Sequence, residues 1–328
     1  MHLIDDKAVK SKSIIIYLLL PLLLSCGAWK KNQEDKAEES PEVSEAGVPR
    51  FDADSAYSYL AAQVAFGPRV PNSEAHRQAA DWLVAELKRH GAEVIEQKAD
   101  LKAFDGTLLK ARNIFGQYNP EASDRTLLLA HYDCRPWADK DPDPAKRSQP
   151  VDGANDGASG TAVLLETARN LALSNPGKGI DILFLDAEDW GSEGDDDSWA
   201  LGARYFAQNP VKPGYRPARA ILLDMVGGRG AKFYIEYFSQ QAAPGLVEEV
   251  WNCAAEAGYG HVFPKQYGGA VTDDHAELIK AGIPAIDIIE FDPQHGFNET
   301  WHTTADNLSN IDRASLEAVG NTIFRYIW

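Results

Sequence analysis

Cysteine is nearly absent, with three in 328 residues, and one of these, Cys26, falls in an N-terminal leader. The other two, Cys134 and Cys253, lie far apart in sequence and make no disulfide framework even where an exported compartment would allow pairing, so both are expected to be free. Basic residues are also short: 32 Lys and Arg stand against 49 Asp and Glu, a formal charge of −17. That balance argues against nucleic acid as a partner and against docking of the folded part on anionic lipid. No internal repeat is visible. The apolar run from Ile14 to Leu24 is too short to cross a bilayer as a helix.

What is present at the N-terminus has the form of an export signal. Lys7, Lys10 and Lys12 precede the apolar run, which reads as the hydrophobic region of a secretory leader. It ends in Leu23-Leu24-Ser25-Cys26, which resembles the lipobox of bacterial lipoproteins. The resemblance implies a signal peptide over 1–26, Cys26 as the lipidated first residue of the mature protein, and a lipid anchor holding an exported protein to a membrane, periplasmic or at the cell surface. Residues 27–50 mix Lys, Glu, Ser, Gln and Pro with almost no aliphatic residues, so they cannot bury enough surface to offset ordering, and a solvated tether is expected. From about Phe51 to Trp328 the composition is globular and suits one large domain.

Within that domain apolar strands alternate with helices. Helices are expected over Asp52–Gln63, Ser73–His90, Gly160–Leu173, Trp199–Gln208, Pro244–Ala257, His275–Ala281 and Asp312–Ile327. Strands are expected over Ala92–Lys98, Leu108–Tyr118, Thr126–His131, from Ile180, over Ala220–Val226, Lys232–Phe238 and Ile283–Ile289. The pattern predicts an α/β three-layer sandwich, a mixed but mostly parallel twisted sheet with helices on both faces.

The chemistry is concentrated at strand ends. The run Ile182–Leu185 breaks into Asp186, Glu188 and Asp189, and acids crowded beside a buried strand bind a cation, hydrogen-bond as a network or share protons. Another strand ends in His131-Tyr132-Asp133, another in Asp224, and Trp301-His302-Thr303 follows the last. Between the first two strands the Gly-rich turn Gly153–Gly160 presents Asp156. His131, Asp156, Asp189, Asp224 and His302 therefore converge on the edge of the sheet where open α/β folds bind ligands. Imidazole with carboxylate and no thiolate suits catalytic zinc. The acidic run Glu193–Asp197 reads as a solvated loop.

In order and spacing, the pieces HYD, GANDGASG, FLDAED, LLDMVG, TDDH and WHT resemble the zinc aminopeptidase superfamily and, within it, the bacterial glutaminyl cyclases. The resemblance covers about residues 51–328. For an aminopeptidase it implies two zinc ions bridged by Asp156, one completed by His131 and Asp224, the other by Asp189 and His302. For a cyclase it implies one zinc on Asp156, Asp189 and His302, with Asp224 in a hydrogen-bond network. Glu188-Asp189 and Trp301 favour the cyclase, which makes pyroglutamate from the N-terminal glutamine of peptides or proteins. In that reading Glu188 shuttles the proton, its affinity for it raised by Asp224 and Asp274. Trp301 with Trp199, or else Trp190, walls the glutamine slot. The alternatives are a two-zinc aminopeptidase and a tethered binding lipoprotein with an inactive site.

Overall fold

The computed structural model describes residues 48–328. The expected signal peptide, the Cys26 lipidation position and the expected tether up to residue 47 lie outside the described residues. Val48 packs against the core. Among the described residues no helix is long and apolar enough to cross a membrane.

Local signals set the first elements. Asp52 caps α1 (Ala53–Val64), its carboxylate accepting from the amides of Asp54 and Ser55, and Ser73 caps α2 (Glu74–Arg89). The antiparallel hairpin β1 (Glu93–Lys102) and β2 (Leu108–Tyr118) follows. Then come β3 (Arg125–His131), α3 (Ala158–Leu173), β4 (Gly179–Leu185), α4 (Leu201–Gln208), β5 (Arg219–Asp224), α5 (Tyr237–Ala242), α6 (Pro244–Glu256), α7 (Asp274–Lys280) and β6 (Ala285–Ile289). A small ribbon, β7 (Phe291–Asp292) with β8 (Gly296–Phe297), precedes α8 (Arg313–Ile327), which Asp312 caps.

Six strands form one sheet in the order β1-β2-β4-β3-β5-β6. β4, β3, β5 and β6 run parallel, and β2 is antiparallel to β4. Because side chains alternate along a strand, β3 sends Leu128 and Ala130 into a core shared with α1, α3 and α8, and Leu127 and Leu129 into one shared with α4 and α7. Each fully buried aliphatic side chain of this kind contributes roughly 1.5–3 kcal/mol. Both faces are thus covered, as the α/β sandwich requires, and the C-terminal ends of four parallel strands share one edge.

One expected strand does not form. Over Lys232–Phe238 only Phe233 and Ile235 make isolated bridges, to Glu290 and Tyr267. Glu236 instead accepts from the amides of Phe238 and Ser239 and starts α5. The alternation of Phe233 and Ile235 imitates a strand, but a capping carboxylate in the next turn diverts the chain into a helix. Strand β5 also stops earlier than expected, at Asp224, where Met225 turns to a φ of 46°.

Candidate active site

The edge formed by the strand ends collects the acids and histidines. His131 closes β3, and past β4 the backbone amides of Glu188 and Asp189 both donate to Asp133, at 3.2 Å each. Asp186, expected with them, is not at the site. Its carboxylate accepts from Tyr132 at 2.8 Å and the Arg112 amide at 2.6 Å, and meets His76 Nε2 at 2.8 Å. Those partners lie on the far side of the turn at Ala187, which has a φ of 56°.

The turn carrying Asp156 is pinned from two sides. Asp306 accepts from the amides of Asn155 and Asp156, at 2.7 and 3.1 Å, and Arg69 donates to the carbonyls of Asp152 and Gly153. Gly153 has a φ of 63°, and a Cβ there would sit 2.4 Å from the Asp156 carbonyl oxygen; one on Gly157 would sit 2.5 Å from the His131 ring. Glycine is required at both places because the loop must press against its own backbone and against the histidine.

The five expected donors do come together. Asp156, Asp189 and His302 form one buried group with ligand atoms within 4.8 Å of one another, and His131, Asp156 and Asp224 form a second. His302 Nε2 is 3.2 Å from Asp189 Oδ1 and 3.6 Å from Asp156 Oδ2. Both carboxylate oxygens of Asp189 are buried with no hydrogen-bond partner, which a metal ion would satisfy. In the second group His131 Nε2 already hydrogen-bonds Asp224 Oδ1 at 3.1 Å. Residues present therefore fit a metal best on Asp156, Asp189 and His302.

Burial governs the protonation of the acids. It raises Glu188 well above the usual carboxylate range; His131 opposes this, and Asp273, Asp189 and Asp274 add to it. Burial, with Asp273 beside it, likewise lifts Asp274 well up. Asp224 is pushed up to about 8 by burial, against its bond to His131. Asp189 is raised to about 6 by burial and then by Asp156. Of the two carboxylates expected to raise Glu188, Asp274 does so, whereas Asp224 faces His131 and Asp273, the cap of α7, is the leading carboxylate acting on Glu188. A further buried group, Asp273, His275 and Asp287, adjoins this cluster. Asp287 lies in mid-strand in β6, where the local sequence IPAIDII reads simply as a strand, and no short-range signal marks it.

A cavity of about 410 Å³ opens onto Asp156, Glu188, Asp224 and His302. Trp301 stacks on the His302 ring at 3.8 Å and Trp199 at 5.9 Å, and Phe297 stacks on Trp301 at 4.3 Å. Trp190 lies elsewhere, packed on Trp137 and donating to Asp105. The sequence reading missed Phe297, and also Arg135. The buried Arg135 guanidinium sits over Trp137 at 4.8 Å and Trp199 at 4.7 Å. It also donates to the carbonyls of Asp189 and Gly191, at 3.1 and 2.8 Å, and to Asp139. It holds the pocket wall and the Asp189 backbone in one geometry. Arg135→Met should lower kcat/KM by about 10- to 100-fold and change the near-ultraviolet dichroism of Trp199, and Arg135→Lys should restore little, because an ammonium lacks the planar fork. Wild-type activity in the methionine variant would remove this role.

The run Glu193–Asp197 was expected to be a plain solvated loop. It is exposed, yet Glu193 and Asp196 line the cavity.

The family model for peptidase family M28 matches residues 113–327. The chain belongs to that family. Among solved structures, this M28 member is 49% identical to the glutaminyl cyclase of Bacteroides thetaiotaomicron, over 85% of this chain and 98% of that one, with a TM-score of 0.84. It is 53% identical to the glutaminyl cyclase of Porphyromonas gingivalis, over 84% and 97%, at a TM-score of 0.83. It is also 52% identical to a Zn-dependent exopeptidase of Parabacteroides distasonis, over 86% and 99%, at 0.84. Zinc is the metal the family implies, and the buried nitrogen and oxygen donors here suit it.

Proposed function

We propose that this chain is a glutaminyl cyclase that uses one zinc ion, held by Asp156, Asp189 and His302, to convert the N-terminal glutamine of peptides or proteins into pyroglutamate. The observation that carries this reading is the pair of indoles, Trp199 and Trp301, stacked with His302 at the wall of a cavity that also exposes Glu188. Such a slot takes the glutamine methylenes and strips water from the amide. The Asp189 carboxylate faces only His302 at 3.2 Å and Arg135 at 3.7 Å, whereas Asp224 Oδ1 already accepts from the Met225 amide at 2.8 Å and meets His131 at 3.1 Å, and this contrast supports one zinc over two.

In the reaction the α-amine nitrogen attacks the side-chain amide carbon and closes a five-membered ring. The bond from that carbon to the amide nitrogen breaks, and the proton lost by the amine goes to this nitrogen, which leaves as ammonia. Ring closure supplies the proximity, so no external nucleophile is needed. Zinc, when bound, supplies Lewis acidity at the amide oxygen. Glu188 carries the proton between the two nitrogens. Its burial beside Asp273, Asp189 and Asp274 makes it hold a proton more readily than an ordinary glutamate, which suits delivery near neutral pH. Asp224 and Asp274 complete the acidic cluster around it.

The presence of all five donors supports a second reading, a two-zinc aminopeptidase in which Glu188 activates water against the first peptide bond. Incubating the zinc-loaded protein with a short peptide beginning in glutamine, followed by mass spectrometry, separates them. Loss of one ammonia from an otherwise intact peptide is expected; release of the first residue would establish the aminopeptidase, and neither would favour an inactive binding protein. We infer that the enzyme is exported and anchored as a bacterial lipoprotein at Cys26, a reading supported by the lysines and apolar run that precede Leu23-Leu24-Ser25-Cys26. Activity should then sediment with membranes and move to the soluble fraction in Cys26→Ala.

A further inference from the structure

The cavity is lined by six acids, Asp156, Glu188, Glu193, Asp196, Asp224 and Asp273, and by no lysine or arginine. Four of these are buried and belong to the metal and proton-handling cluster. The other two, Glu193 and Asp196, stand exposed on the loop that leaves Asp189, with side chains open to solvent at the cavity mouth. Lys140 pairs with Glu193 at 2.6 Å, but no cation reaches Asp196 within ion-pair distance among the described residues. Phe238, itself 37% exposed, and Phe291 also line the cavity.

An extended residue advances about 3.3–3.6 Å along the chain, so when glutamine fills the inner slot the next residue lies at the mouth. There it meets two carboxylates and an aromatic face. We propose that Glu193 and Asp196 make the enzyme selective for glutaminyl peptides whose second residue is basic, and turn away those whose second residue is acidic. A lysine or arginine there lays its aliphatic stem on Phe238 and its charge toward Asp196. An aspartate or glutamate meets the like charge of Asp196, while Lys140, whose ammonium lies 5.7 Å from the Trp301 ring, is already paired with Glu193. This rests on the cyclase reading and sharpens its substrate class.

The test is kcat/KM for ammonia release from three otherwise identical peptides beginning Gln-Lys, Gln-Ala and Gln-Glu. It uses the wild-type enzyme, the double variant Glu193→Gln/Asp196→Asn, and Glu121→Gln. The last removes an exposed acid from the β2–β3 connection, at the opposite edge of the sheet. The expected order is Lys above Ala above Glu. The Lys-to-Glu ratio should be about 5- to 20-fold at low salt, shrinking as added salt screens the exposed charges. It should fall to within about twofold in the double variant, where the Lys140 freed by loss of Glu193 adds to the change, and persist in Glu121→Gln. Cyclisation of Gln-Ala with no preference between Lys and Glu, or a preference that survives the double variant, would overturn the proposal and leave the cyclase reading standing. Absence of ammonia release from all three peptides would bring down both.

Discussion

Glu188→Gln should leave zinc bound and reduce cyclisation by about 10²- to 10⁴-fold, the usual contribution of a positioned proton-transfer group. Glutamine keeps the shape of the side chain and cannot carry the proton. The backbone amide of residue 188 still donates to Asp133, so Asp189 keeps its place. The effect belongs in kcat, because the lost interaction is made in the transition state and the Trp199 and Trp301 walls are untouched. Zinc content by elemental analysis and steady-state rates on a Gln-Ala peptide check this together. Retained turnover with zinc bound would remove Glu188 from the chemistry, and loss of zinc would show that it supports the metal instead.

Stripping the metal should abolish cyclisation and leave a fold that weakens as pH rises. Without the ion, Asp224 is held at about 8 and Asp189 at about 6, and Glu188, Asp274 and Asp287 lie well above the ordinary carboxylate range, all chiefly through burial. A carboxyl raised in the folded state binds more protons there than in the unfolded chain. The stability linked to it is therefore full below the unfolded value near 4 and lost as pH climbs through the folded value. Each pKa unit is worth about 1.4 kcal/mol, so the cluster sets a penalty of several kcal/mol against the metal-free fold between about pH 4 and pH 8. A divalent cation on Asp156, Asp189 and His302 offsets that repulsion and itself competes with protons for its ligands. The rise in Tm on adding zinc should accordingly grow from about pH 5 to about pH 8 and vanish in Asp189→Asn. A zinc-induced rise that is flat with pH would mean that these acids do not carry the penalty.

How much of this site was open to reading differs residue by residue. The donors at His131, Asp156, Asp189 and Asp224 were legible because each follows a local signal, an apolar run that stops or a glycine turn, and parallel strands deliver such ends to one edge, whereas His302, in a loop beyond β6, was legible only through the WHT resemblance. Asp186 carried the same signal and went elsewhere, because its partners His76 and Arg112 lie 110 and 74 residues away and no short window contains them. The expected strand at Lys232–Phe238 failed for a related reason, since period-two alternation was overruled by the cap at Glu236.

The layered α/β class, most of the element order and the zinc-type donor set are legible in the residues themselves, since strand periodicity, helix caps and glycine turns act over a few residues; α5 and the β7–β8 ribbon are not. Tertiary packing alone brings Trp199 and not Trp190 to His302, sets Arg135 between Trp137 and Trp199, makes Asp273 the leading carboxylate on Glu188, and stands Glu193 and Asp196 at the mouth. These depend on the path of the loop after Asp189 and on contacts between elements distant in the chain. The energies of burial and charge that decide them act through space, and sequence separation leaves no record of that distance.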